Sequence, residues 1–452
     1  MNLAFKGFFI LQRMSQPITL PELYQAFLKA GQKISTDTRK IEQGAIFFSL
    51  KGPNFNANTL AAKAIESGAG LALVDEAAYA NQPGIHYVEN VLQILQQLAQ
   101  HHRRQFTIPV LAITGSNGKT TNKELIHAVL SEKYNTLATE GNLNNHIGVP
   151  LTLLKLKPEH AFAIIEMGAN HQGEIDELCQ IAEPDYGLIT NIGKAHLEGF
   201  GGIEGVKKGK SEMYRFLQTK SGKAFVNGDD DTLYQLAFNN DKITYGCKKL
   251  YDVIGKEMSQ TEMVSFKFTS RYGEKDWSKR PLVKTNILGH YNFINCLAAT
   301  CVGHYFKVDD ASIQHALENY IPQMNRSQLA KTDKNTLILD AYNANPNSMK
   351  AAIDNFAAYP APNKWVLLGD MFELGEYSHE EHQKVVDLLI EKKFSQVLLV
   401  GPAFSKCKHL DYPVFAETAQ CLQHLQQHPI QDAAILIKGS RSMKMETLRE
   451  AL

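Results

Sequence analysis

The stretch from Val110 to Leu130 constrains the fold more than any other part of the chain. ValLeuAlaIleThr (110–114) is a compact β-branched run, GlySerAsnGly (115–118) is a glycine turn, and LysThrThrAsnLysGluLeuIleHisAlaValLeu has helical spacing. A strand that turns through glycines straight into a helix places that helix on the face of a sheet. Apolar runs at 161–165, 186–190 and 224–226 repeat the alternation of strand and helix. The spacing therefore predicts a mainly parallel, doubly wound α/β sheet, with the polar, strand-rich segment 250–285 as an antiparallel extension and a helix at 292–305 closing the unit.

The chain has 452 residues, and a single core rarely grows beyond roughly 250–300, so further domains are expected. Residues 15–108 read as a small α/β unit, with helices at 20–30, 60–67 and 91–104 and strands at 45–50 and 71–74. IleProGln (321–323) reads as a hinge. Beyond it, strands at 336–340, 365–368, 396–400 and 434–437 alternate with helices at 348–358 and 380–391, a Rossmann-like pattern. The expected division is 1–108, 109–322 and 323–452, without internal repeats or low-complexity segments.

Lys plus Arg (47) equals Asp plus Glu (47), so there is no global field for nucleic acid or an anionic membrane. Anionic ligands must be held by local sites. The six cysteines form no CxxC pair and no zinc spacing, which predicts reduced, buried thiols. The N-terminal apolar patch lacks a full signal-peptide pattern, and Met14 is an alternative start. No run approaches the ~18 apolar residues of a membrane span. A cytoplasmic monomer, not inserted in a membrane, is expected.

The glycine turn carries the strongest chemical signal. Gly115, Ser116, Asn117, Gly118, Lys119, Thr120 and Thr121 suit a phosphate loop, although Ile113 stands where the longer pattern has its first glycine. Glycines let backbone N–H groups approach phosphate, and the helix N-terminus adds a positive dipole end. Lys119 would neutralise terminal phosphates and Thr120 would bind Mg²⁺. Glu166 ends an apolar strand, where a carboxylate faces the ligand crevice and could complete a magnesium site; alone it could equally be a solvated strand-end acid. His196 could be a metal ligand or a hydrogen-bonded core histidine.

Taken together, GlySerAsnGlyLysThrThr, GlyAsnLeuAsnAsnHisIleGlyValPro (141–150), GluMetGlyAla (166–169), AsnIleGlyLysAlaHisLeuGlu (191–198) and GlyHisTyrAsnPheIleAsn (289–295) resemble motifs of the Mur ligase family. So do AspAlaTyrAsnAlaAsnProAsnSerMetLysAlaAla (340–352), LeuGlyAspMetPheGluLeuGlyGluTyrSerHis (368–379) and LysGlySerArg (438–441), which resemble the branch that adds D-alanyl-D-alanine rather than those adding L-alanine, D-glutamate or the third residue. The resemblance runs from about residue 15 to the end. It implies ATP-dependent joining of D-alanyl-D-alanine to UDP-N-acetylmuramoyl-tripeptide through an acyl phosphate.

It also implies roles. Lys119 and Thr120 would hold ATP phosphates and magnesium. Glu166, His196 and a carbamylated Lys210 would serve two Mg²⁺ ions. His290, Asn292 and Asn295 would lie on the adenine side, Arg326 would reach phosphate and Asp340 ribose. Asn142, Asn144 and Asn145 would lie near the acceptor substrate, and Ser35 and Arg39 near the uridine nucleotide. Where relatives often carry Asp-Gly-His, this chain reads Asn56-Ala57-Asn58. Carbamylation has its own physical reason: an ammonium beside two Mg²⁺ ions is repelled, whereas a carbamate offers anionic oxygens. Without the resemblance, Lys210 is a solvated lysine in a basic stretch. Rival readings are another amide ligase of this fold, which adds the third stem residue or a folate glutamate, and a non-catalytic ATP-binding module. Whether the third stem residue is diaminopimelate or lysine is open.

Overall fold

The computed structural model describes residues 18–259, 263–322 and 328–452. Three sheets carry the α/β architecture expected from the alternating pattern. Compact packing divides the chain into two units, one formed by residues 1–108, 139–160 and 177–183, the other by 109–138, 161–176 and 184–452.

In the first unit, strands Ile34–Ser35, Ile46–Phe48, Leu71–Val74 and Ile85–Tyr87 pair in parallel in that order. The helix Leu20–Lys29 opens with a capping box in which Thr19 and Glu22 satisfy each other's backbone N–H groups. The helix Val91–Arg103 buries Val91, Leu95, Leu98, Ala99 and His102 along one face. His102 is buried with both ring nitrogens bonded, Nδ1 lying 3.2 Å from Tyr24 Oη and Nε2 2.9 Å from Leu156 O. A carbonyl only accepts, so Nε2 carries the hydrogen and Nδ1 accepts from Tyr24. Burial holds the imidazole below its usual value of 6.5. The unfolded chain therefore takes up the proton more readily; this stabilisation is complete above about pH 6.5 and is lost as pH falls through the folded-state value. The thermal midpoint should fall between pH 7 and pH 5 more steeply in the wild type than in His102→Gln, by about 1.4 kcal/mol per pH unit of depression. Parallel declines would exclude the assignment.

In the second unit, a nine-stranded sheet runs in the order Val283–Leu288, Met263–Ser270, Val253–Glu257, Asp241–Gly246, Lys223–Asn227, Tyr186–Ile189, Val110–Thr114, Phe162–Glu166, Thr136–Ala138. The seven strands from Val253–Glu257 onward are parallel, and the other two form the expected antiparallel extension. Helices Lys119–Ser131 and Phe293–Tyr305 bury Leu125, Ile126, Val129, Leu130, Cys296, Leu297 and Val302 in its core.

The same unit contains a six-stranded sheet in the order Gln328–Lys331, Asn335–Asp340, Ala433–Lys438, Lys364–Gly369, Gln396–Val400, Val414–Phe415. Only its first strand is antiparallel. Both edge strands went unread in the sequence because each is short and half-exposed, with no apolar run to mark it. All six cysteines are free thiols. Five are buried as expected, whereas Cys247 is exposed, because it lies in the turn after a strand end. No helix among the described residues is long and apolar enough to cross a membrane.

Candidate active site

The five residues of Val110–Thr114 are buried between Phe162–Glu166 and Tyr186–Ile189, both parallel to it. Parallel strands bring their carboxyl ends to one edge of the sheet, where ligands bind. The glycine turn, Glu166 and Thr190 therefore meet there. Gly115 has φ +145°, and a Cβ on it would stand 1.9 Å from Thr190 Oγ1, so only glycine fits. Gly118, at φ +74°, caps the helix Lys119–Ser131 without a side-chain bond. The first-turn N–H groups of that helix thus have no intrahelical acceptor and are available to an anionic ligand. Lys119 Nζ donates to Gly115 O at 2.8 Å, folding over the loop. Thr120 Oγ1 donates to Glu166 Oε2 at 2.9 Å, and both side chains are buried.

The loop is held from two sides. Asn117 N donates to Asn191 Oδ1, Asn117 O accepts from Thr190 Oγ1 and Asn191 Nδ2, and Ser116 Oγ donates to Gly193 O. At the start of the helix Pro346–Ala358, the N-cap Asn345 Nδ2 donates to Asn117 Oδ1 at 2.6 Å, and Asn347 Oδ1 in the first turn accepts from Lys194 N at 2.7 Å. Lys194 Nζ also pairs with the buried Glu381 at 2.6 Å. None of Asn191, Asn345, Asn347 and Glu381 was assigned a role from sequence. The three asparagines lie in the motifs at 191–198 and 340–352, whereas Glu381 lies outside every motif, in the helical pattern 380–391.

His196 and Lys210 lie on neighbouring segments with partners of their own. His196 adopts φ +54° at the start of the short helix Leu197–Phe200. Its Nδ1 lies 2.5 Å from Glu373 Oε2, and this contact holds the Glu373 carboxyl below its usual range. Lys210 is 1% exposed; Nζ donates to Ala169 O at 3.0 Å and stands 5.0 Å from the centre of the Phe200 ring. That corrects the reading of a solvated lysine. Its helix Ile203–Lys210 turns Val206 and Lys210 inward, four residues apart. Burial, then repulsion from Lys119, pushes the amine well below the usual lysine value, against the opposing pull of Glu174 and Glu212.

The donor set fits magnesium at one point: Thr120 and Glu166 offer hard oxygens in contact with each other. Among the described residues no group of three or more His, Cys, Asp or Glu could cage a metal. That suits an ion which takes one or two protein oxygens and completes its shell from phosphate and water.

On the other side of the loop, Asn122, Asn295 and Asn292 form a row of amides, and His290 Nδ1 lies 2.7 Å from Glu257 Oε1. A cavity of about 290 Å³ is lined by His290, Tyr291, Asp340, Asn355, Phe356 and Tyr359 among others. Asp340 Oδ2 accepts from the buried Lys438 at 2.5 Å, which also reaches Asn343 O. A glycine turn that opens a helix, together with a part-aromatic cavity that has a carboxylate in its wall, can seat a nucleotide.

The remaining candidates stand in the first unit. Ser35 is buried and donates to Asp37 O, and Arg39 forks onto Asp37, whose carboxyl that contact lowers to about 2. Asn58 is buried and exchanges hydrogen bonds with Asp75, which also pairs with Lys51. The Asn-Ala-Asn departure thus serves the fold locally. Asn145 Oδ1 accepts from Ile147 N and Gly148 N, and Asn144 N donates to Asn142 O. Arg326 and Gln323 of the expected hinge lie outside the described residues.

Family comparison matches residues 113–303 to the Mur ligase middle domain and residues 325–441 to the Mur ligase glutamate ligase domain. The UDP-N-acetylmuramoyl-tripeptide–D-alanyl-D-alanine ligase of Bacillus subtilis is 35% identical over 430 residues, covering 92% of each chain. The ligase of the same name from Haemophilus influenzae is 37% identical over 432 residues, again covering 92% of each. A crystal structure of MurF from Acinetobacter baumannii superposes with a TM-score of 0.81 at 32% identity, covering 94% of this chain and 97% of that one.

Proposed function

This chain belongs to the Mur ligase family, and we infer that it joins D-alanyl-D-alanine to UDP-N-acetylmuramoyl-tripeptide in the cytoplasm, using ATP and forming ADP. We assign residues 1–108 to the uridine nucleotide, 109–322 to ATP and 323–452 to ligation. The observation that carries this reading is the Thr120–Glu166 contact beside Lys119, at the carboxyl edge of a parallel sheet.

The chemical difficulty is that a carboxylate and a triphosphate repel one another. Lys119, released from Gly115 O, would place its charge on the β- and γ-phosphates, and the first-turn N–H groups of its helix would hold them in line. Thr120 and Glu166 would ligate one magnesium ion, with His196 and a carbamylated Lys210 serving a second, and this charge offsets the repulsion. His290, Asn292 and Asn295 would receive adenine and Asp340 the ribose, with Arg326 directed at phosphate. Ser35 and Arg39 would meet the uridine nucleotide; Asn142, Asn144 and Asn145 would lie along the muramoyl-peptide. The tripeptide carboxylate attacks the γ-phosphate, ADP leaves, and the amine of D-alanyl-D-alanine displaces phosphate from the acyl phosphate. Asn345 and Asn347 would close over the loop and exclude water that would hydrolyse it.

The test is ADP release from ATP, magnesium and UDP-N-acetylmuramoyl-tripeptide, with and without D-alanyl-D-alanine. Sustained release only with the dipeptide is expected. Release driven instead by a single amino acid would move the chain to another branch of the family, and ATP binding without release under any amine would remove catalysis.

A further inference from the structure

The amide row beside the phosphate loop has a direction. Asn122 Nδ2 donates to Gly118 O at 2.9 Å and to Asn295 Oδ1 at 2.8 Å. Asn295 Nδ2 donates to Asn292 Oδ1 at 2.7 Å, and Asn292 Nδ2 donates to Leu288 O at 2.8 Å. Both ends of the row are main-chain carbonyls, which only accept. Turning over any one carboxamide would set oxygen against oxygen or NH₂ against NH₂. The buried Asn122 Oδ1 has no partner, and this orphan shows what fixes the row. The reverse orientation would satisfy nothing more and would put Oδ1 against two acceptors. Gly118 leaves room for the arrangement, since a Cβ there would lie only 3.2 Å from Asn295 Oδ1.

Asn292 is buried, but Asn295 is only partly so. Asn295 keeps one lone pair on Oδ1 and one hydrogen on Nδ2 beyond these bonds. An acceptor beside a donor matches the N6–H and N7 edge of adenine, whereas a 6-oxopurine offers two acceptors there. We propose that Asn122 is the positioning residue that sets nucleotide-base selectivity, by locking the Asn295 carboxamide in the orientation that accepts from a 6-aminopurine and repels a 6-oxopurine. This rests on the reading of Asn295 as an adenine contact.

The experiment compares MgATP with MgITP, which differ at position 6, by dissociation constant and by kcat/KM for phosphate release in the full-length protein. The wild type should prefer ATP by about 5- to 150-fold, the range for one bidentate base contact. In Asn122→Ala the ATP/ITP ratio should fall at least fivefold, chiefly because ITP is no longer repelled. Asn292→Ala, which frees the other side of the same carboxamide, should move the ratio the same way and serves if Asn122→Ala does not fold. If both nucleotides weaken equally in Asn122→Ala, the residue only props the loop and the proposal is overturned. If Asn295→Ala lowers the ratio while Asn122→Ala and Asn292→Ala do not, base contact by Asn295 stands and the relay fails. If Asn295→Ala leaves the wild-type ratio intact, the underlying reading itself is wrong.

Discussion

Replacing Lys119 by Ala should cut turnover by roughly 10³-fold or more while the thermal midpoint shifts little. Removal of one preorganised donor to a transition-state charge costs about 10²–10³, and in the proposed mechanism Lys119 would also bring a full charge to the phosphates. The side chain is half-buried and donates to Gly115 O. Loss of that bond is worth about 1 kcal/mol to the fold, far less than its loss to catalysis. The measurement is ADP release at saturating substrates, with circular dichroism melting as the control. Full activity in Lys119→Ala would remove the phosphate-loop assignment.

The second large effect is expected at Lys210. Carbamylation joins the neutral amine to CO₂ and releases a proton, converting an uncharged side chain to an anionic one. The environment favours this: Nζ is buried, donates to one carbonyl, and is held below the usual lysine value by burial and by Lys119. Lys210→Ala should lose about 10²–10³ in kcat, in the range for one electrostatic contact to a transition state. It also leaves a cavity of side-chain length beside Ala169 and Phe200. Acetate or formate at tens of millimolar should enter that cavity and restore part of the rate. Lys210→Met, which fills the space without charge, should be equally inactive and refractory to rescue. Unaided full activity in Lys210→Ala would end the carbamate assignment, and rescue of both variants alike would show that the added anion acts elsewhere.

Where periodicity and glycine chemistry coincide, the fold was legible in the chain. Val110–Thr114 and Leu71–Val74 fall at the expected residues because each is a short β-branched or apolar run bounded by turn residues. The short helices Gly148–Leu153 and Leu197–Phe200 were not legible, since neither spans enough turns to show a 3.6-residue period. The site divides the same way. Thr120 and Glu166 could be paired in advance, because one opens the helix after a strand and the other ends the neighbouring strand of the same parallel sheet. The bond from Asn345 to Asn117 joins residues 228 apart in the chain, and no local pattern encodes it. Asn145 was read toward substrate, and its side-chain oxygen accepts from Ile147 N and Gly148 N just before the helix Gly148–Leu153; asparagine before a helix serves either purpose. Lys210 looked solvated because its neighbours are basic, and only the turn of its helix puts it inside.

The strand order of the large sheet has a consequence for biosynthesis. Val110–Thr114 pairs with Tyr186–Ile189 on one side and Phe162–Glu166 on the other, so neither neighbour exists when it leaves the ribosome. At about 5–20 residues per second, roughly 4–15 s separate its emergence from that of its second partner. For that interval at least one edge of the most apolar of these three strands is an open template on the nascent chain. Slow translation between codons 115 and 186 should therefore raise the load on holding chaperones more than the same delay placed after codon 190.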